Sequence, residues 1–277
     1  MELVKTFKEF TYGEPVSDKL RAFARNTAIG ILSVKESVSK TNNWIRFPYY
    51  HHVFDDERKG FHRQLKYLRN FGEFISMDEV VKMLDGDLPV DGRYFCVSFD
   101  DGYRCCYTNM MEIIASLDIP VIIYLPTDYI GLSENNEADI QMIKDNLPGN
   151  PKLLSFLSWE QCREMLAHKV SFGSHTKTHA NLKKLSEEEI RQELKISKRI
   201  IEKELNIPCD HFACPWGRVN ISFDPQITTP VSKELGYKTF ATTDRGKMQK
   251  GDDLFLIKRD HLLAQWGNFQ LKYFFSK

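Results

Sequence analysis

Two short motifs contain the residues of this chain that are best suited to chemistry. Asp100 and Asp101 end an apolar run within Ser-Phe-Asp-Asp-Gly, and His175 and His179 lie at i and i+4 within His-Thr-Lys-Thr-His. If a helical turn carries the second motif, both imidazoles face the same side. Carboxylates and imidazoles bind divalent metals, and a spare carboxylate beside the ion can act as a base. The two motifs therefore predict a metal-dependent hydrolase.

Asp101 would complete a ligand set of two histidines and one carboxylate. Such a set leaves coordination positions open for water and substrate, which is typical of a catalytic rather than a structural metal site. Asp100 would then face the water as a base. Zinc is the expected ion, but the same ligands also serve cobalt, nickel, manganese and iron.

Seven short apolar stretches predict the strands that position these residues. They cover residues 45–50, 94–99, 121–125, 170–173, 211–213, 239–242 and 254–257. Helical patterns alternate with them, which predicts an α/β fold, a distorted (β/α)7-type barrel with parallel strands. In such barrels the chemistry lies at the carboxyl ends of the strands, where the Asp pair falls.

The helices are predicted from apolar periodicity and from their first residues. Apolar side chains share a face in 61–68, 113–117 and 190–205. Ser158 with Gln161, and Ser186 with Glu189, have the capping-box spacing that begins a helix. Residues 1–43 are expected to be an extension that packs on the main domain, residues 44–277. An insertion at about 127–157 is expected to carry a lid or specificity loop.

The composition of the chain limits its partners. Its 277 residues contain 38 basic and 38 acidic side chains, so the zero net charge argues against nucleic acid. We find no run of about 20 apolar residues and no apolar stretch typical of a signal peptide, which predicts a cytoplasmic protein without a transmembrane segment. The six cysteines fit reduced thiols.

Over residues 44–265 the chain resembles the polysaccharide deacetylases, which are also called NodB-homology proteins or family-four carbohydrate esterases. Ser-Phe-Asp-Asp-Gly is similar to the family motif TFDDG, and His-Thr-Lys-Thr-His is similar to H(S/T)xxH. Tyr50-His51-His52-Val53 is similar to the YHxV sequence of the branch that deacetylates surface and biofilm polysaccharides. The resemblance implies that Asp100 is the base and that Asp101, His175 and His179 bind the metal.

The third motif departs from the common family pattern. Phe-Ala-Cys-Pro-Trp-Gly at 212–217 resembles the FAxPYG version, in which the aromatic residue after the proline, here Trp216, gives its backbone N–H to the oxyanion. The resemblance thus implies that Pro215 and Trp216 contact the substrate. The usual arginine beside the base is missing from this motif. Three arginines are candidates to replace it, namely Arg104, Arg218 and Arg259.

The general acid is the least certain role. His261 is the first candidate, from a weak match to the fifth family motif, and His51 is the second. Tyr103 and Arg259 are further candidates for contact with substrate. The resemblance implies removal of acetyl from an N-acetylated sugar in a glycan, or in a glycan precursor of surface-polysaccharide biosynthesis. The alternatives are a non-catalytic carbohydrate-binding relative and a hydrolase of a non-sugar amide.

Overall fold

The computed structural model describes residues 3–13, 15–133, 135–146 and 154–277. Ten helices occur in these ranges: α1 Phe7–Phe10, α2 Val16–Ser33, α3 Arg58–Arg69, α4 Met77–Asp85, α5 Met111–Ser116, α6 Glu137–Asn146, α7 Trp159–Met165, α8 Glu187–Leu205, α9 Pro225–Glu234 and α10 Asn268–Phe275. The strands there are β1 Trp44–Arg46, β2 Pro48–Tyr50, β3 Glu73–Phe74, β4 Arg93–Phe95, β5 Val97–Phe99, β6 Val121–Leu125, β7 Val170–Ser174, β8 His211–Ala213, β9 Thr239–Ala241 and β10 Asp260–His261.

Seven of the strands form one parallel sheet in the order β10-β2-β5-β6-β7-β8-β9. The sheet is curled into a half-barrel with helices around it, so the predicted α/β class and distorted (β/α)7-type barrel are confirmed. Three other strands form a smaller parallel sheet in the order β1-β4-β3. The chain runs from β1 into β2, and from β4 into β5, with one residue between the two strands each time.

Most predicted strands are present, but the one at 254–257 is wrong. Leu254–Leu256 form a 3-10 turn, because the side chain of Asp253 accepts a hydrogen bond from Phe255 N and caps the turn. Of this run, Ile257 is the residue that pairs with the sheet, through a bridge to Ala241 at the β9 edge. Three residues later, Asp260 pairs with Pro48 at the other end of the sheet. The segment 257–260 therefore links the two edges of the curled sheet.

The helices begin at the residues that the sequence predicts, and they bury the predicted faces. Ser158 and Ser186 both form capping boxes, at the starts of α7 and α8. The buried face of α3 includes Phe61, Leu65 and Leu68, and that of α8 includes Ile190, Leu194, Ile201 and Leu205. These side chains belong to the main core around the sheet.

The residues before β1 lie against the barrel in two places. α1 contacts the turn that follows β2, and α2 packs on α10 near the end of the chain. The division into an extension before residue 44 and a main domain stays a prediction. Of the predicted insertion at 127–157, residues 134 and 147–153 lie outside the described residues, and the described part includes α6. None of the described helices has both the length and the apolar character needed to cross a bilayer.

Candidate active site

The candidate residues meet at the carboxyl ends of neighbouring strands. Asp100 and Asp101 follow β5, and His175 and His179 follow β7. His51 follows β2, Trp216 lies three residues past β8, and His261 ends β10. Because all of these strands are parallel, their ends share one edge of the sheet, which collects residues that are up to 210 positions apart.

From the spacing of the two histidines we expected a helical turn, but they do not lie in one. β7 ends at Ser174, and residues 175–180 form an irregular loop. Thr176 and His179 both have left-handed backbones, with φ of 66° and 60°. This loop still brings the two imidazole rings to 5.0 Å between centroids. The i, i+4 spacing thus correctly predicted that the two rings are adjacent, but an irregular loop and not a helical turn brings them together.

Asp101, His175 and His179 are the group within the described ranges whose side chains could hold a metal ion, with ligand atoms within 4.8 Å of one another. Asp101 Oδ1 lies 3.4 Å from His175 Nε2 and 3.2 Å from His179 Nε2. Ligands bound tetrahedrally at 2.0–2.2 Å stand about 3.3 Å apart. The spacing therefore fits one divalent cation.

Two further observations favour a metal between these side chains. Asp101 Oδ1 is buried and finds no hydrogen-bond partner among the described residues, which is costly unless a cation satisfies it. His175 Nδ1 lies 2.7 Å from the Ala213 carbonyl oxygen, which can only accept, so Nδ1 carries the proton. That tautomer leaves the lone pair of Nε2 free for a metal.

Asp100 is held by Arg259 rather than by the metal ligands. Arg259 Nη1 and Nη2 donate to the two oxygens of Asp100 at 2.7 and 2.8 Å, and both side chains are buried. Burial opposes ionisation of Asp100, but the charge of Arg259 outweighs it and lowers the pKa of the carboxyl. Asp100 is thus a carboxylate at neutral pH, as a base must be.

Of the three candidate arginines, Arg259 is the one that faces the base. Its Nε donates to the Thr242 carbonyl at 2.8 Å, and Nη1 also reaches Ser98 Oγ at 3.3 Å. Its guanidinium lies 4.3 Å from the centre of the Tyr49 ring. With no exposed side-chain surface, Arg259 is placed to orient Asp100 and not to contact substrate.

The two candidate acids, His51 and His261, are hydrogen-bonded to each other. His51 Nδ1 lies 3.2 Å from His261 Nε2. Burial lowers the pKa of His51, and burial together with the charges of His51 and Arg245 lowers the pKa of His261 to about 3. Both rings are therefore neutral at pH 7, and one proton lies between them. Sequence reasoning treated the two histidines as alternatives, but they form a pair.

Trp216 and Tyr103 stand on different sides of the site. Trp216, at φ 62°, is half exposed next to Pro215, and its ring lies 5.5 Å from that of His179. Its backbone N–H donates to no acceptor among the described residues, as an oxyanion donor requires. Tyr103 is buried, with its ring 4.2 Å from His52.

Sequence reasoning missed the residues that support Arg259. Ser98, Tyr49 and Thr242 each contact its guanidinium, and none has a side chain whose type alone indicates this role. One signal was available for Ser98. It lies two positions before Asp100, and alternate residues of a strand face the same side of a sheet.

Comparison with known proteins agrees with the fold and the motifs. A family model described as polysaccharide deacetylase matches residues 87–240, more than half of the chain. The chain belongs to the polysaccharide deacetylase family. It is 22% identical over 203 residues to YxkH of Bacillus subtilis (strain 168), covering 73% of this chain and 63% of that protein. The chain thus spans less than two thirds of that relative's length.

Two solved structures share the fold. The Streptococcus pyogenes deacetylase PplD, in complex with acetate, is 23% identical with a TM-score of 0.68, and the match covers 86% of this chain and 100% of that chain. IcaB from Ammonifex degensii is 20% identical with a TM-score of 0.70, over 86% and 99% of the two chains. At these identities the likeness concerns the fold alone.

Proposed function

We propose that this protein is a metal-dependent N-deacetylase that removes acetyl from an N-acetylated sugar of a glycan or glycan precursor. The observation that carries the proposal is the pair of carboxylates with different surroundings. Asp101 presents an unpaired buried oxygen to two histidines, and Asp100, next in the chain, is kept ionised by Arg259. One carboxylate is suited to a cation and the other to proton transfer.

A divalent cation held by Asp101, His175 and His179, zinc in this proposal, would polarise the acetamide carbonyl and lower the pKa of a water molecule from 15.7 toward about 7. Asp100 accepts a proton from the attacking water. The Trp216 N–H donates a hydrogen bond to the oxygen that becomes negative as the carbonyl carbon turns tetrahedral. As the C–N bond breaks, the neutral His51–His261 pair relays to the departing amine the proton that Asp100 took from the water, so that Asp100 is again ionised and acetate and a free amino sugar are left.

The substrate is proposed on the family membership and on the surroundings of the site. The matching family is defined by polysaccharide deacetylation, and a protein of the same fold has been solved with acetate, the expected second product. Trp216 offers a half-exposed aromatic ring beside His179, and an aromatic face suits stacking on the apolar face of a sugar. These observations favour a sugar over a non-sugar amide.

The proposal is tested by measuring metal content and acetate release for the native chain and for Asp100→Asn. Both proteins are expected to bind about one equivalent of zinc, because the ligands are unchanged. Acetate release from N-acetylhexosamine oligosaccharides is expected to fall by about 10²–10⁴ in Asp100→Asn, the usual contribution of a general base.

The possible results separate the proposed function from its alternatives. Stoichiometric metal without acetate release from any acetylated sugar would indicate a binding protein or a hydrolase of another amide. Failure of the native chain to bind any divalent metal after reconstitution would rule out the mechanism. Asp101→Asn is the matched variant for the metal, since it changes the neighbouring carboxylate and is expected to lose zinc.

A further inference from the structure

The short helix α1 is fixed onto the turn that follows β2. Phe7 N and Lys8 N donate to the two carboxylate oxygens of Asp56 at 2.8 and 3.3 Å. Asp55 N donates to the Lys5 carbonyl at 3.0 Å. A capping box between Thr6 and Glu9 shapes the helix itself. Four residues would not hold a helix alone, so these contacts with the turn determine where α1 lies.

α1 forms one wall of a cavity that also contains catalytic candidates. The cavity has a volume of about 290 Å³, and Phe7 and Phe10 line it together with His51, Asp101 and His261. The Phe10 ring lies 5.4 Å from His52 and 5.3 Å from Phe54. Small-molecule sites usually measure about 300–1,000 Å³, so this cavity suits a group no larger than one sugar unit.

The opposite side of the metal ligands is open. Trp216 lies beside His179, with 51% of its surface exposed, and it does not line the cavity under α1. The site thus has one flank that is covered by α1 and another, at Trp216, that is exposed. An internal unit of a glycan needs room for chain on both sides of the reacting acetamide, whereas a terminal unit needs it on one side only.

We propose that α1 restricts the site to a terminal N-acetylated sugar, with the rest of the glycan leaving past Trp216. Phe7 and Phe10 are the specificity residues, and Asp56 is a positioning residue that acts through α1. This inference rests on the proposed deacetylase function. It adds the class of substrate, which is a chain end or a short oligosaccharide and not the interior of a polymer.

The test uses an oligosaccharide of six N-acetylhexosamine units, with the deacetylated position located by mass spectrometry. The native protein is expected to remove acetyl from one terminal unit. Asp56→Ala frees α1, and Phe7→Ala/Phe10→Ala removes its wall, so both variants should raise the ratio of internal to terminal deacetylation at least tenfold. Tyr12→Ala is the matched aromatic control, because Tyr12 follows α1 but is 81% exposed and outside the cavity. Its pattern should equal the native one.

Each outcome has a distinct meaning. Deacetylation of internal units by the native protein would overturn the inference and leave the proposed function intact. An unchanged end-restricted pattern in the double phenylalanine variant, shown to be folded by thermal unfolding, would also overturn it. Acetate release from no acetylated sugar would overturn the proposed function and the inference with it. If α1 keeps its position in Asp56→Ala, the pattern of Phe7→Ala/Phe10→Ala tests the inference, because that variant removes the wall itself.

Discussion

At the scale of single residues, the pairing of Asp100 with Arg259 controls the chemistry of the site. Both side chains are withdrawn from water, and four hydrogen bonds join the guanidinium to Asp100, Ser98 and Thr242. A buried ion pair adds little net stability over an apolar pair, yet loss of one partner is expensive because the other charge is left unpaired. The arrangement therefore keeps Asp100 ionised although it is buried, as its proposed role as a base requires.

A double-mutant cycle tests this pairing. Arg259→Met is expected to lower the free energy of unfolding by about 3–5 kcal/mol, because it leaves the Asp100 charge buried and unpaired. Adding Asp100→Asn removes that charge, so the double variant should be more stable than Arg259→Met alone. Urea unfolding of the four proteins measures the coupling. If the losses of unfolding free energy in the two single variants simply add in the double variant, the two side chains are not energetically coupled.

The contact between His51 and His261 makes a second prediction at this scale. If the two rings deliver one proton together, His51→Gln and His261→Gln should each lower kcat/KM by about 10²–10⁴. The double variant should be scarcely worse than the poorer single one, since groups that act as a unit are not additive. Multiplication of the two effects would assign independent roles to the histidines. His62→Gln, at a half-buried position of α3, is a control for histidine replacement itself.

At the scale of elements, the loops after the strands hold the site in unusual backbone conformations. Asp101, Thr176, His179 and Trp216 all have φ between 60° and 71°, although none is glycine. Such residues cost about 1–3 kcal/mol each and persist only where the surroundings fix them. Here β5, β7 and β8 supply that support immediately before each loop.

Glycine replacements measure how tightly the loop at Trp216 is fixed. In Gly217→Ala the new Cβ would lie 2.9 Å from Thr243 N and 2.8 Å from its Cγ2, at φ 53°. Gly236→Ala has φ 77° but meets nothing within 4 Å, so it isolates the backbone cost of about 1–2 kcal/mol. Gly217→Ala should destabilise more than this control and should also lower kcat by displacing the Trp216 N–H. Equal losses of stability and unchanged kcat would contradict the prediction.

The sequence was informative wherever the determinant is local. The capping boxes at Ser158 and Ser186 depend on residues three positions apart, and both are present. The strand predicted at 254–257 is wrong because a short apolar stretch fits a strand and a buried turn equally well. The partner of Asp100 could not be chosen from sequence, since it lies 159 positions away and reaches the base only after the sheet has curled.

At the scale of the whole molecule, Glu57 connects two distant parts of the chain, namely the loops that follow the neighbouring strands β2 and β10. It is buried next to α3 and accepts hydrogen bonds from Phe54 N and, 208 positions away, from Gln265 N. Burial raises its pKa from 4.5 to about 7, in spite of these bonds. The folded chain therefore binds a proton there that the unfolded chain releases between pH 4.5 and about 7.

This difference predicts how stability depends on pH. Because the folded state binds the extra proton, the Glu57 contribution is present below pH 4.5 and is lost as pH rises toward about 7. The loss is on the order of 3 kcal/mol at most. Glu57→Gln should flatten this part of the curve of unfolding free energy against pH. Identical slopes for the native protein and the variant would show that Glu57 does not titrate in this range.

The position of Arg259 also has a consequence for the order in which the chain is made. Asp101, His175 and His179 are all synthesised before Arg259, the cation that neutralises Asp100, which follows 80 positions after the last of them. Domains generally fold as units during synthesis. Until the segment with Arg259 leaves the ribosome, the emerging chain carries the Asp100 carboxylate without this counter-charge. We therefore expect the site to stay incomplete at Asp100 in nascent chains that stop before Arg259, and we expect it to close once the segment with Arg259 has emerged.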